Sequence, residues 1–346
     1  MKKRFIISLC CGSAAALCLI LWLTYWYIPR LNTEGWLKEV LWCKLDIASK
    51  ISSPKIIIAG GSNAFWGMDS AEIEKRCGVP VVNLAFHASF PLNFYNDLLA
   101  DVLNAGDVVI LPLELGHYGR KESMNTTVMK AGLGWAKEFF PNEISSVEIM
   151  TFYMFPYIWR ENILLRIPKK INSFRNERYR DKASVLREFY QGCKHIKQVD
   201  PDEILPESAV YSFRNMNQYG DIVNTRNLKE ISIVPFKHKI IPSAFFLKEI
   251  RKLAQMARSR NAKIALTWPV LHKGCYDLQR LRDFQKECKK YGIVIYGDPS
   301  EFLFPEQSFS DTHYHLRTSA AKKRAGILAE CINKYNLQFE AYTKKL

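Results

Sequence analysis

Two short segments, far apart in the chain, carry the residues best suited to chemistry. Ser62 lies in the first, Ala59-Gly-Gly-Ser-Asn63, directly after an apolar β-branched run. A serine at a glycine-rich turn between a strand and a helix presents its hydroxyl at the carboxyl edge of the sheet, near backbone N–H groups that can stabilise an oxyanion. The pattern predicts a candidate nucleophile, although such turns also serve as plain connections.

The second segment, Ser310–Leu316, precedes the last predicted helix. It contains one carboxylate, Asp311, and two imidazoles, His313 and His315. If a final strand-to-helix connection returns to the same sheet edge, this segment supplies both a base and an orienting acid for a serine. The alternative is a loop whose polar residues only cap the following helix.

The chain between these segments alternates predicted strands with predicted helices. The strands are expected at residues 55–60, 80–85, 107–113, 262–267 and 293–296. The helices are expected at residues 69–77, 91–105, 245–259, 278–291 and 317–335, the first opened by Asp69 and stopped by Gly78. This alternation predicts an α/β doubly wound fold, a parallel sheet covered on both faces, whose site lies beyond the carboxyl ends of the strands.

Two histidines and a tryptophan lie near that predicted edge. His87 follows the second strand and His117 the third. Most histidines in such places pack or hydrogen-bond, and contact with substrate is the alternative. Trp66, just after Ser62, is expected in the core rather than as a platform for stacking a sugar.

Composition excludes a disordered or low-complexity chain, because 48% of the 346 residues are hydrophobic and 24% charged. The formal net charge of +15 permits an anionic partner. Nearly half of the excess lies in residues 160–198, with eleven Lys and Arg against four acids. This region is either a helical insertion with a solvated basic face or a lid that grips an acidic polymer or anionic lipid.

The N-terminus predicts a membrane anchor. Lys2, Lys3 and Arg4 precede 24 uncharged residues, Phe5–Ile28, which is long enough to cross a bilayer as a helix. A cleaved signal peptide is the alternative, but the run is too long and ends in aromatic residues. The basic start places the rest of the chain outside the cytoplasm, in the cell envelope, which argues against a nucleic-acid partner.

No cofactor or metal is predicted. Of nine cysteines, six lie beyond the predicted anchor, none at Cys-x-x-Cys spacing, and no His/Cys cluster has the spacing of zinc ligands. These six cysteines are compatible either with disulfide bonds or with buried free thiols. A nucleotide site is disfavoured because neither a Gly-x-Gly-x-x-Gly motif nor a Walker-type lysine follows the first strand.

Four motifs together resemble the SGNH/GDSL hydrolase superfamily: Gly60–Asn63, Val82–Ala85, Gly106–Glu114 and Asp311–Leu316. More narrowly, the pattern is similar to membrane-anchored members found beside membrane-bound O-acyltransferases in systems that modify polysaccharides and teichoic acids. The resemblance covers residues 55–115 and 262–335. It implies a flavodoxin-like, three-layer doubly wound parallel sheet, joined here to a largely helical insertion and a transmembrane helix.

The resemblance implies roles for individual residues. Ser62 matches the nucleophile, and its amide would be one oxyanion donor. Ala85 stands where the family usually has glycine, so its N–H would be a second donor. His315 matches the base and Asp311 its orienting acid, with His313 as the second candidate for the base.

Two positions depart from the family pattern. Gly61 stands where the common form has aspartate, and Glu114 lies in the motif where an asparagine amide normally donates to the oxyanion. Asn63 or Asn83 would have to substitute, and loss of one donor can lower the rate by about 10²–10³. An ionised Glu114 aimed at the site would oppose the developing charge; alternatively it is structural and pairs with an arginine.

The expected organisation is a cytoplasmic tip and anchor (1–30), a juxtamembrane linker (31–54) with a short helix near 36–44, an α/β domain (55–119 and 241–346) and a basic aromatic insertion (120–240). The expected function is that of a serine-dependent esterase or O-acyltransferase acting on a cell-surface or exported polysaccharide. Acetyl as the acyl group and a membrane-bound O-acyltransferase partner are implied by the resemblance. The alternative is a non-catalytic accessory subunit that binds an anionic glycan or a membrane partner.

Overall fold

The computed structural model describes residues 2–22, 35–51, 54–88, 90, 92–120, 135, 138–140, 180–198, 203–225 and 240–335. They fall into two compact units, one formed by residues 1–35 and 126–180 and the other by residues 36–125 and 181–346. The larger unit contains the parallel sheet and every candidate site residue.

The smaller unit contains helix α1 (Lys2–Trp22). The predicted membrane segment continues to residue 28, beyond the described part of this helix. Over the described ranges, no helix combines the length and apolar character that crossing a membrane requires. Most of predicted basic region 160–198 also lies outside the described residues.

A five-stranded parallel sheet forms the centre of the larger unit. Its order is β2-β1-β3-β4-β6, with strands β1 (Ile56–Ile58), β2 (Val81–Asn83), β3 (Val108–Leu111), β4 (Lys263–Thr267) and β6 (Ile295–Tyr296). All five predicted strands are confirmed, each slightly shorter than its apolar run. The order reverses between β1 and β3, as in flavodoxin-like sheets, and this reversal is the topological switch point.

Two further strands form a small parallel pair that the sequence pattern did not predict. They are β5 (Leu271–His272) and β7 (Leu303–Phe304). Each has two residues, too few for alternation or an apolar run to be recognised.

Each of the five helices predicted for the α/β domain has a counterpart in this unit, which also contains helices that were not predicted. The helices of the unit are α2 (Gly35–Lys50), α3 (Ser62–Phe65), α4 (Ser70–Cys77), α5 (Asn93–Ala100), α6 (Leu115–Gly119), α7 (Lys182–Gly192), α8 (Glu207–Val210), α9 (Ala244–Ser259), α10 (Leu278–Lys290) and α11 (Thr318–Tyr335). At α4 the Asp69 carboxylate accepts the Glu72 amide at 3.0 Å, and Gly78 ends the helix with φ of 67°. Helix α5 is shorter than predicted.

Helix α2 differs from the predicted juxtamembrane linker. It is twice as long as the expected short helix, and Leu37, Val40 and Leu41 are buried. Lys44 is also buried and donates from Nζ to the Asn83 carbonyl at 2.8 Å, at the end of β2. Because this helix buries an apolar face against the α/β domain, the domain includes it.

Residues 203–225, assigned from the sequence to the insertion, also belong to the larger unit. The Asn83 amide donates to the Tyr219 carbonyl at 2.8 Å, so this segment continues the hydrogen bonding at the free edge of β2. Its turn needs glycine, because Gly220 has φ of 87° and a Cβ there would lie 2.6 Å from the Asn83 carbonyl oxygen. The nine cysteines are free thiols.

Candidate active site

Ser62 is the first residue of α3, at the carboxyl end of β1. Gly61 precedes the helix in an extended conformation, and its carbonyl accepts the Ala64 and Phe65 amides at 3.1 and 3.2 Å. The strand-to-helix turn predicted from the glycines is confirmed. Ser62 is 8% exposed, and we call residues 60–67 the nucleophile turn.

Glu114 follows β3 and reaches the same turn. Its Oε1 accepts the Asn63 amide at 2.9 Å and lies 3.5 Å from Ser62 Oγ. Its Oε2 lies 3.3 Å from His117 Nδ1. Burial raises the pKa of Glu114, but the contacts with His117 and Asn63 outweigh it and lower the pKa to about 2. A buried, ionised carboxylate therefore lies beside the candidate nucleophile at neutral pH.

The two departures from the family pattern meet at this point. A Cβ built on Gly61 would lie 2.6 Å from Glu114 Cδ, so a side chain at 61 and the Glu114 carboxylate exclude each other. The acid that the family carries in the turn itself is absent here. The carboxylate of Glu114, which follows β3, occupies the space beside Gly61 instead.

Arg324, on α11, anchors the nucleophile turn from the opposite side. Its fully buried guanidinium donates to the Asn63 carbonyl at 2.5 Å, to Asn63 Oδ1 at 2.6 Å and to the Gly67 carbonyl at 3.1 Å. Burial lowers the pKa of Arg324 to about 9, against the opposing effect of Glu114. His117 lies within ion-pair distance of Glu114, whereas Arg324 contributes a longer-range electrostatic interaction.

Arg324 was missed by the sequence analysis. A usable signal exists, because Arg324 shares the face of α11 on which Ala321, Ala325 and Leu328 are buried. A single arginine on an apolar helix face must find acceptors within the protein.

Asp311 and His315 form the pair that the sequence predicted. Asp311 Oδ1 lies 2.8 Å from His315 Nδ1, and His315 is 7% exposed. The turn between them is closed by the Ser310 amide, which donates to the His315 carbonyl at 2.8 Å. Burial raises the pKa of Asp311, but the hydrogen bond and charge of His315 bring it below its ordinary value. We call residues 310–316 the base segment.

Trp66 connects the base segment with the nucleophile turn. Its ring packs on His315 with 4.6 Å between centroids, and its amide donates to the Ser62 carbonyl at 3.0 Å. Trp66 is 3% exposed, so it belongs to the core, as expected. Among the described residues, Ser62 Oγ approaches Glu114 and makes no hydrogen bond to His315.

The predicted oxyanion donors already have partners. The Ala85 amide donates to Asn83 Oδ1 at 2.9 Å, and Asn83 Nδ2 donates to the Ala64 carbonyl at 3.0 Å. Asn63 Nδ2 donates to the Pro112 carbonyl at 2.9 Å. These amides hold the strand ends together in this conformation, rather than pointing free donors at Ser62.

The remaining histidines have different surroundings. Burial lowers the pKa of His87 to about 4, helped by His315 and opposed by Glu114. Burial, then His272 and His315, lower the pKa of His313. His117 is buried, with Nε2 3.3 Å from the Phe90 carbonyl and Nδ1 3.3 Å from Glu114 Oε2.

The ends of β1, β2 and β3 thus bring Ser62, His87 and Glu114 to one edge of the sheet, at the switch point, and the base segment joins them there.

Within the described ranges, no group of three or more His, Cys, Asp or Glu side chains is arranged to hold a metal ion. Neither the protein-family models nor the curated protein sequences give a match to this chain.

Proposed function

We propose that this protein is a membrane-anchored, extracytoplasmic SGNH-like serine esterase or O-acyltransferase that acts on a cell-surface or exported polysaccharide. The observation that carries the proposal is the Asp311–His315 pair, 2.8 Å between Oδ1 and Nδ1, at the sheet edge that also bears Ser62. A carboxylate that holds an imidazole beside a serine is the arrangement of nucleophilic acyl transfer.

In the proposed reaction His315 Nε2 takes the proton of Ser62, and Ser62 Oγ forms a bond to the carbonyl carbon of an ester. The tetrahedral intermediate collapses, the alcohol leaves with the proton from His315, and the acyl group stays on Ser62. Water or a sugar hydroxyl then attacks the acyl carbonyl carbon and gives its proton to His315. His315 passes that proton to Ser62 Oγ as the bond between Oγ and the acyl carbon breaks, which releases the acid or the new ester. Asp311 holds the imidazole and stabilises its charged form throughout.

This reaction requires the Ser62 hydroxyl to turn from Glu114 Oε1 toward His315. At 3.5 Å the contact with Glu114 Oε1 is long for an O–H···O hydrogen bond, so little is lost when the hydroxyl rotates away from it. The Ser62 amide begins α3 and is the backbone donor nearest to the developing oxyanion. With Ala85 and Asn83 bonded to each other, the proposed oxyanion site is poorer in donors than the family pattern, so slow turnover is expected.

The anchor and the partner belong to the proposal as well. The uncharged run Phe5–Ile28 after three basic residues supports a helix that holds the enzyme at the outer face of the membrane. An acetyl group and a membrane-bound O-acyltransferase that supplies it follow from the resemblance alone.

Acyl trapping tests the proposal. The full chain in detergent is incubated briefly with an activated acetyl ester and analysed by intact mass and peptide mapping. We expect one acetyl group on Ser62, absent from Ser62→Ala and His315→Ala. Ser319→Ala, an exposed serine on α11, is the matched control and should label like the wild type. A folded protein that gains no acetyl while a control esterase does would refute the activity.

The Glu114 carboxylate favours a second candidate, a non-catalytic accessory subunit of a polysaccharide-modifying complex. A buried anion 3.5 Å from Ser62 Oγ opposes negative charge at the reacting carbonyl. The two functions differ in cells, because Ser62→Ala changes polymer acylation if the protein is an enzyme, lowering it for a transferase and raising it for an esterase, and leaves it unchanged if the protein is a scaffold.

A further inference from the structure

The segment Tyr211–Thr225 contacts both halves of the candidate site. Its Asp221 carboxylate accepts the Ser70 amide at 2.7 Å and Asn83 Nδ2 at 2.8 Å, on the side of the nucleophile. Its Val223 carbonyl accepts Thr318 Oγ1 at 2.8 Å, three residues after His315. A segment bonded to both sides fixes the position of any side chain that it carries between them.

Tyr211 is the side chain that this segment presents to the base segment. Its hydroxyl donates to Asp311 Oδ2 at 3.3 Å, a long hydrogen bond, while Asp311 Oδ1 faces His315. The Tyr211 ring packs against Trp66 and Trp36, with 5.1 Å between centroids in both cases. The ring is therefore held by two tryptophans, and one of them also packs on His315.

We infer that Tyr211 is a positioning residue of the Asp311–His315 pair: it holds the second carboxylate oxygen of Asp311, and so fixes the orientation of the acid toward the imidazole. This inference rests on the proposed function, because the pair needs a fixed orientation only if His315 moves protons. A carboxylate bonded through one oxygen can still rotate about its Cβ–Cγ bond, and a second donor on the other oxygen restrains that rotation.

The same hydroxyl tunes the pair. Burial raises the pKa of Asp311, whereas the bonds from His315 and Tyr211 lower it. Because the hydroxyl shares the negative charge of Asp311, it weakens the attraction between Asp311 and a protonated His315. His87 and His313 also interact electrostatically with His315.

Tyr211→Phe tests the inference, since it removes the hydroxyl and keeps the ring. The His315 ring is followed by NMR across a pH titration of the full chain in detergent. We expect the His315 titration midpoint to move to higher pH, because Asp311 then attracts the imidazolium more strongly, and the acylation rate of Ser62 to fall about tenfold. Tyr190→Phe is the matched control, because Tyr190 donates to Asp46 Oδ2 at 2.5 Å elsewhere, and it should leave the midpoint unchanged.

An unchanged His315 midpoint in Tyr211→Phe would overturn the inference. The midpoint is read without any reaction, so a shifted midpoint in a protein that never gains an acyl group would refute the proposed function and leave the contact intact. If Tyr211→Phe does not fold, the ¹³Cζ resonance of Tyr211 is compared between wild type and Asp311→Asn. A resonance that does not move on loss of the carboxylate would contradict the hydrogen bond.

Discussion

The nucleophile turn and the base segment are held in place in different ways. The nucleophile turn is buried from residue 60 to residue 67, and charged groups from two other elements, Glu114 and Arg324, bind polar atoms of Asn63 and Gly67. In the base segment Asp311 and His313 are half-buried, and its order comes from one carboxylate–imidazole pair and the rings beside it. The departures from the family pattern all lie on the first side.

This difference indicates where the chemistry can be adjusted. Asp311 and His315 are already in contact, with 2.8 Å between Oδ1 and Nδ1, so the base side requires no local rebuilding. On the nucleophile side, a carboxylate from β3 lies against the turn where an amide donor would help, and Gly61 makes room for it. Apart from Ser62 itself, substitutions on the nucleophile side should therefore act chiefly on stability, and those on the base side chiefly on reactivity.

Arg324→Ala is expected to have the largest effect on stability. The substitution leaves the Asn63 carbonyl, Asn63 Oδ1 and the Gly67 carbonyl without their buried donor, and leaves a cavity on α11. We expect the free energy of unfolding to fall by about 3–5 kcal/mol, measured by urea denaturation. Lys322→Ala, on the exposed face of the same helix, is the control and should change it by less than about 0.5 kcal/mol.

Gly61→Ala tests the contact between the two departures. The new methyl group would displace the Glu114 carboxylate from Asn63, so we expect a loss of about 2–3 kcal/mol. In a Glu114→Ala background the space is open, and most of that loss should disappear. A double-mutant cycle in urea measures the coupling; additive effects would show that the loss in Gly61→Ala does not come from its contact with the Glu114 carboxylate.

Glu114→Gln tests the charge in the nucleophile turn through pH. The pKa of Glu114 is lowered from 4.5 to about 2, so its ionisation stabilises the fold fully above pH 4.5 and this stabilisation is lost as the pH falls toward 2. At neutral pH we expect the variant to be less stable by about 1–2 kcal/mol. The difference between the two proteins should shrink between pH 4.5 and 2, and a difference that is constant with pH would contradict an ionised Glu114. If the protein is an enzyme, acylation of Ser62 should become faster in the variant.

Much of the fold was predictable because apolar runs and caps are local signals. The runs before Ser62 and at Val108–Leu111, and the capping pair of Asp69 and Glu72, identify elements that the structure confirms. The two-residue strands carry no periodicity, and the burial of α2 depends on which surface receives it. Neither could be read from local pattern.

The site was predictable to the extent that its motif is contiguous. Asp311 and His315 are four residues apart in one loop, and their contact is confirmed. The other contacts of the site join residues that are far apart in the sequence. The separation is 53 positions for Gly61 and Glu114, 100 for Tyr211 and Asp311, and 261 for Asn63 and Arg324. Such contacts are set by the packing of the sheet and its last helix, on which a single sequence carries little information.

His313→Ala is expected to have the smallest effect, and it decides which histidine is the base. Both oxygens of Asp311 are engaged, Oδ1 by His315 and Oδ2 by Tyr211, while the His313 ring packs on Tyr314 at 4.2 Å. Burial and the neighbouring imidazoles lower the pKa of His313, so it is neutral near pH 7 and its loss leaves the local charge unchanged.

We therefore expect His313→Ala to slow acylation of Ser62 less than about threefold, in the same mass-spectrometric assay in which His315→Ala removes it. An intermediate loss would indicate that His313 contributes to the binding of the acyl donor, which a rise in the half-saturating ester concentration would reveal. A variant pair with the reverse order, His313→Ala inactive and His315→Ala active, would transfer the base to His313. The Asp311–His315 contact would then only stabilise the loop. The base segment would owe its reactivity to His313, and the contrast between a structural nucleophile turn and a reactive Asp311–His315 pair would be wrong.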